Sequence, residues 1–152
     1  MSRLSRLRFI DTRRTRGPVR RKVRSRGVPP ALADHELFYT EEVRAAAAMV
    51  GKALSPGTLR LLRQDEQGFA ASLFGVALRD VSLLYLDLTV TAEIVIPKLG
   101  SYFTVCMPTN GRVQCVAGDN EPMEANTVRA LVTSPGTALR LRFDDDSPMV
   151  VV

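Results

Sequence analysis

From Gly57 to Val152 the chain is a string of short segments rich in Val, Ile, Leu, Thr and Phe, each closed by a turn signal. Branched and aromatic side chains fit the pleated surface of a sheet. Gly, Pro, Asn and Asp supply the backbone angles that turns require. The segments are "TLRLLRQ", the long "DVSLLYLDLTVTAEIVIP" with a bend near Thr89–Ala92, "YFTVCMPTNGRVQC", "TVRALVT", "TALRLRF" and "PMVVV". Between them stand "AGDNEP", Ser134-Pro135-Gly136 and Asp144-Asp145-Asp146. Such spacing predicts an all-β sandwich or barrel. "FAASLFGVAL" reads either as a strand pair or as a helical turn. At 152 residues the chain suffices for one ordinary domain, which needs neither a disulfide nor a metal to hold it.

One helix precedes the strands. In "LFYTEEVRAAAAMVGKALSPG", Val43, Ala46, Ala47, Val50 and Leu54 share a face at helical spacing. Thr40 is placed to cap, Glu41 and Glu42 suit the positive N-terminal end, and Ser55-Pro56-Gly57 stops the helix.

Asn110-Gly111 suits a two-residue hairpin turn, since both residues tolerate positive φ. In that register Thr109 faces Arg112 and Cys106 faces Cys115, with Cα atoms roughly 4.5 Å apart. Two readings stand side by side. The thiols form a redox switch, or they pack as small apolar groups, as the reducing cytosol favours. In the same hairpin Phe103, Val105 and Met107 alternate with Tyr102, Thr104 and Cys106, and both faces carry apolar residues.

Charge divides the chain. Residues 1–30 hold ten Arg, one Lys and one Asp, a net +10, while residues 31–152 hold ten bases and fifteen acids, a net −5. Like charges, Gly and Pro over residues 1–30 predict a disordered arm in front of a domain over residues 31–152. Arg13, Arg14, Arg20, Arg21, Lys22 and Arg24 are the candidates for pairing with a nucleic-acid backbone. An arm without function is the alternative. No apolar run is long enough for a membrane span, and no apolar stretch follows the basic N-terminus as a secretory signal requires. The expected location is the cytoplasm.

Catalytic signals are sparse. His35 is the one histidine, whereas a metal-binding cup needs two or more imidazoles with a carboxylate. No Ser stands in a G-x-S-x-G setting and no Gly-rich phosphate loop is present. Asp119, Glu121 and the Asp144–Asp146 run read as solvated turn acids. Neither an enzyme, a metal nor a cofactor is expected.

The order of these parts resembles the N-terminal AraC-binding-like domain of AraC/XylS-type transcriptional regulators, over about Glu36 to Val152. The parts that carry it are "LFYTEEVRAAAAMVGKAL", "LRDVSLLYLDLTVTAEIVIP", "YFTVCMPTNGRVQC" and "RALVTSPGTALRLRF". Relatives often have a Pro-Gly turn where this chain has Thr127-Val128. The resemblance implies a mainly β, cupin-like antiparallel barrel or sandwich with a leading helix. It implies a cup that senses a small-molecule effector, supports homodimerisation, or both, with no membrane partner. Tyr85, Tyr102 and Arg140 are the candidate polar groups of its pocket. Such regulators continue into a helix-turn-helix domain. This chain stops at Val152, so DNA would be met through that missing part or through the arm, and the chain is a fragment or stands alone. The competing expectations are a small nucleic-acid-associated protein and a cupin-type enzyme.

Overall fold

Eleven strands, one α-helix and a short 3-10 helix at Pro30–Leu32 account for the regular structure among the residues that the computed structural model describes, 27–63 and 68–152. The strands are β1 (Glu36–Thr40), β2 (Thr58–Leu61), β3 (Ala71–Ala77), β4 (Ser82–Leu88), β5 (Ala92–Ile96), β6 (Thr104–Pro108), β7 (Arg112–Ala117), β8 (Met123–Asn126), β9 (Leu131–Thr133), β10 (Leu139–Phe143) and β11 (Met149–Val151). The helix α1 spans Val43–Ala53. One sheet runs β1-β3-β4-β11-β6-β9 and the other β2-β5-β10-β7-β8, with antiparallel pairing throughout. The protein is thus a mainly β, cupin-like sandwich with one leading helix.

Alternation along each strand makes the core. Leu73, Leu84, Leu86, Leu88, Met149 and Val151 of the first sheet meet Ile94, Ile96, Val113, Leu139, Leu141 and Phe143 of the second. All are buried. The sandwich is open along one side, between edge strands β1 and β2. Helix α1 seals it there with Ala46 and Val50, both buried in the same core. Opposite, the turn between β8 and β9 brings the other two edge strands together through the Asn126–Arg129 bridge. Thr127-Val128 therefore does make a turn, and Asn126 Oδ1 accepts from Val128 N at 3.1 Å to hold it.

Three local expectations are corrected. "LFYT" is strand β1, not helix, and α1 begins at Val43 with Glu42 as its cap residue. Thr40 Oγ1 accepts from Glu42 N at 3.1 Å, which closes a turn before the helix. "TVRALVT" contributes only Leu131–Thr133 to a strand, while β8 forms earlier, over Met123–Asn126. The Asn110-Gly111 turn does not close a hairpin. β6 pairs with β11 and β9 in one sheet, and β7 pairs with β10 and β8 in the other, so the turn carries the chain between sheets. Gly111 is required there. Its φ is +59°, and a Cβ would overlap Ser147 Oγ.

The same crossing places Cys106 and Cys115 on facing inner surfaces rather than side by side in one ladder. Both are free and buried. Burial first, then the neighbouring thiol, pushes Cys106 up to about 12, and burial pushes Cys115 up to about 11. Both stay protonated near neutral pH and pack as small apolar groups.

The expected arm, residues 1–30, falls largely on residues 1–26, outside the described residues. Its last members belong to the body. Val28 packs on a second cluster formed by Leu32, Phe74 and Tyr85 on the outer face of the first sheet.

Candidate functional site

The two ends of the sandwich differ. At one end the acidic turn knits the sheet crossings together. Asp144 Oδ2 accepts from Arg112 Nε at 2.6 Å, Asp145 Oδ1 from Thr91 N at 2.7 Å, and the Asp146 carbonyl from Asn110 Nδ2 at 2.9 Å. The Thr91 hydrogen bonds hold the Asp145 carboxyl below the usual carboxylate range. These acids are braces within the fold.

At the other end lies an open recess of about 540 Å³, lined by Ser55, Pro56, Lys98, Leu99, Gly100, Ser101, Pro135 and Gly136. Its volume is in the range of small-molecule sites. Three chain segments meet there: the Ser55–Pro56 turn just after α1, the β5–β6 connection and the Ser134-Pro135-Gly136 corner. Gly136 adopts φ +72° and donates its N–H to the Gly100 carbonyl at 3.1 Å. Leu99 N donates to the Thr137 carbonyl at 2.9 Å. Gly100 N donates to Ser55 Oγ at 3.2 Å.

Tyr102 ties this end to the helix. Its hydroxyl lies 2.9 Å from Ser55 Oγ and donates to the Leu54 carbonyl, one of the carbonyls left unpaired where α1 ends. Its ring packs against the main core. Tyr102→Phe removes this link without removing the ring. We expect a loss of about 1 kcal/mol and a melting temperature lower by roughly 2–4 °C. An unchanged melting curve would show that the hydroxyl carries no load.

The three sequence-chosen pocket residues do not converge. Tyr102 stands beside the recess. Tyr85 is fully buried on the outer face of the first sheet, edge-to-face with Phe74 at 6.3 Å between ring centroids. Arg140 lies on the outer face of the second sheet, with Nε 4.0 Å from Glu93 Oε1. Arg60 Nε donates to the other oxygen of Glu93 at 2.6 Å, so this buried carboxylate sits between two guanidinium groups. Alternation alone cannot tell the two faces of a strand apart when both are apolar. The structure settles it for β6: Thr104 and Cys106 face inward, and Val105 and Met107 face outward. The arm candidates Arg13, Arg14, Arg20, Arg21, Lys22 and Arg24 lie outside the described residues.

Sequence reasoning missed two features. Lys98 and Ser101 line the recess but belong to no motif. Thr104 and Thr133 are buried, and their hydroxyls have no hydrogen-bond partner. Only the strand pairing that sets them opposite each other reveals them as a pair.

A cupin-type metal does not fit these residues. His35 is exposed, and its carbonyl accepts from Gly75 N at 2.9 Å. Among the described residues no three His, Cys, Asp or Glu side chains come together as a metal would need. Among the described residues, too, no helix is long and apolar enough to cross a membrane.

Comparison with known families agrees with this architecture. The family model for the AraC-binding-like domain matches residues 46–152. The chain belongs to the AraC-binding-like domain family. Among solved structures it is similar to the AraC-like transcriptional activator CuxR, with a TM-score of 0.61 and 20% identity over 75% of this chain. It spans only 45% of CuxR. It is also similar to a cupin 2 conserved barrel domain protein from Rhodopseudomonas palustris, with a TM-score of 0.43 and 12% identity over 62% of this chain and 68% of that one. No curated protein matches the chain.

Proposed function

We propose that this chain is the effector-sensing part of an AraC-type transcriptional regulator, working in the cytoplasm. It binds a small molecule without transforming it, and a second copy of the chain is its protein partner. The observation that carries the reading is the family match, which runs from α1 through the last strand. Two features support it. The inner walls present aliphatic side chains and protonated thiols instead of an acid–base or metal-ligand set. The recess lies where the segment after the helix meets the sheet ends, so a ligand there touches both. Such coupling is what a sensor requires.

The test is a thermal-shift screen against a broad metabolite panel, with mass measurement across concentration. At least one compound should raise the melting temperature in a dose-dependent way. A ligand at a hundred times its Kd adds about 2.7 kcal/mol to the folded state. The mass should approach that of two chains at high concentration. A panel without a single stabilising compound, together with a strictly monomeric mass, overturns the proposal.

A further inference from the structure

Thr104 and Thr133 stand directly opposite each other on β6 and β9, 3% and 4% exposed. Facing threonines in neighbouring strands ordinarily share a hydrogen bond or find a carbonyl. Here neither hydroxyl has a partner. Two buried, unpaired hydroxyls in one place are costly, and such groups in a native fold call for an explanation.

Their position supplies one. Thr133 lies two residues before Pro135, and Thr104 three residues after Ser101, and both Pro135 and Ser101 line the recess. The Gly136–Gly100 hydrogen bond holds these two segments together just outside the pair. The hydroxyls therefore lie at the recess end of the first sheet, turned inward. Between Ser101 and Thr104, Phe103 is exposed, whereas Tyr102 packs on the core. Tyr102 thus stands along the chain between the recess lining and the Thr104–Thr133 pair. It is held in place by Ser55 and the Leu54 carbonyl alone among hydrogen-bonding partners on the helix side.

We propose that the recess and the Thr104–Thr133 pair are two halves of one binding site for a small hydroxylated carboxylate, with Tyr102 as the partition between them. The recess lining holds one cation, Lys98, and no acid, so its rim favours an anionic group. Leu99, Pro56 and Pro135 give the carbon skeleton an apolar wall. The ligand's hydroxyl groups satisfy the two threonines, which can each donate and accept. Tyr102 swings away from the helix as the ligand enters, and the C-terminal end of α1 loses its tie to the sheet. This inference rests on the sensing reading and gives it a site and a ligand class.

The chain has no tryptophan and three tyrosines, Tyr39, Tyr85 and Tyr102, so the difference in tyrosine emission between the full chain and its Tyr102→Phe variant isolates Tyr102. The full chain is titrated with gluconate and malate, and in parallel with sorbitol, which lacks the carboxylate, and hexanoate, which lacks the hydroxyls. Calorimetry on Thr104→Val and Thr133→Val follows. Valine keeps the shape and removes an unpaired hydroxyl, so both variants should melt at or above the wild-type temperature. Expected is a fluorescence change with a hydroxylated carboxylate, weaker or absent with both controls, and an affinity at least tenfold lower in each valine variant. Equal affinity in the variants, or binding only of compounds outside this class, overturns the site and leaves the sensing reading standing. A chain that binds none of these probes, yet is stabilised by another metabolite, has the same consequence. No binding by any compound of the wider panel overturns both.

Discussion

Phe143→Ala is expected to lower the stability of the domain by about 3–5 kcal/mol, the largest effect of any single truncation considered. Phe143 has no exposed surface and sits at the end of β10, the middle strand of the second sheet. Its ladder partners are Ala92 and Val113. Both are smaller, so the ring supplies most of the volume at that level of the sandwich. The flanking backbones are fixed by hydrogen bonding on both sides, and the facing sheet is held by its own ladder. Neither can close over the gap, so the loss combines transfer energy with a cavity. Urea unfolding should show a lower midpoint with an unchanged slope. A cost below about 1 kcal/mol would mean that the interior collapses freely, contrary to close packing. Val150→Ala provides the contrast. Val150 is half-buried on the outer face of β11, where truncation leaves no enclosed void.

The elements themselves were legible because their signals are local. "DVSLLYLDLTVTAEIVIP" shows its two strands and the bend between them in residue preferences alone, and β4 and β5 form there. Which strands share a sheet is not a local property. Asn110-Gly111 supplies a turn in either case. It leads from one sheet to the other because β11 occupies the position beside β6 that β7 would have taken, and β10 takes β7. Once that partition is missed, the Cys106–Cys115 register fails with it. The same limit applies to the site. Tyr85 and Leu84 are neighbours in sequence with opposite fates, one under Leu32 and Phe74 and the other in the main core. The Ser134-Pro135-Gly136 corner was visible as a turn, whereas its partner segments, Ser55–Pro56 and Lys98–Ser101, join it only through tertiary contact.

The face that holds Tyr85 also holds the group that should make stability depend on pH. Asp87 lies two residues along β4 on the same outer surface, 9% exposed, opposite the buried Ser72 of β3. Burial, and then the negative charge of Asp146, raises its carboxyl from 3.8 to about 6. In the unfolded chain Asp87 gives up its proton near 3.8, whereas in the folded domain it holds it to about 6. Between those values the folded state binds more protons, so stability falls as pH rises. Below 3.8 the group costs nothing, and above about 6 the full penalty applies, on the order of 2–3 kcal/mol. Asp87→Asn keeps the shape and removes the charge. It should therefore raise the urea midpoint at pH 7.5 and leave it nearly unchanged at pH about 4. The difference between variant and wild type isolates this group from Asp145, whose lowered value acts in the opposite sense as a stabilising contribution lost in acid. An equal difference at both pH values would mean that Asp87 titrates alike in the folded and unfolded chain, the effect of burial being offset by a partner on that face.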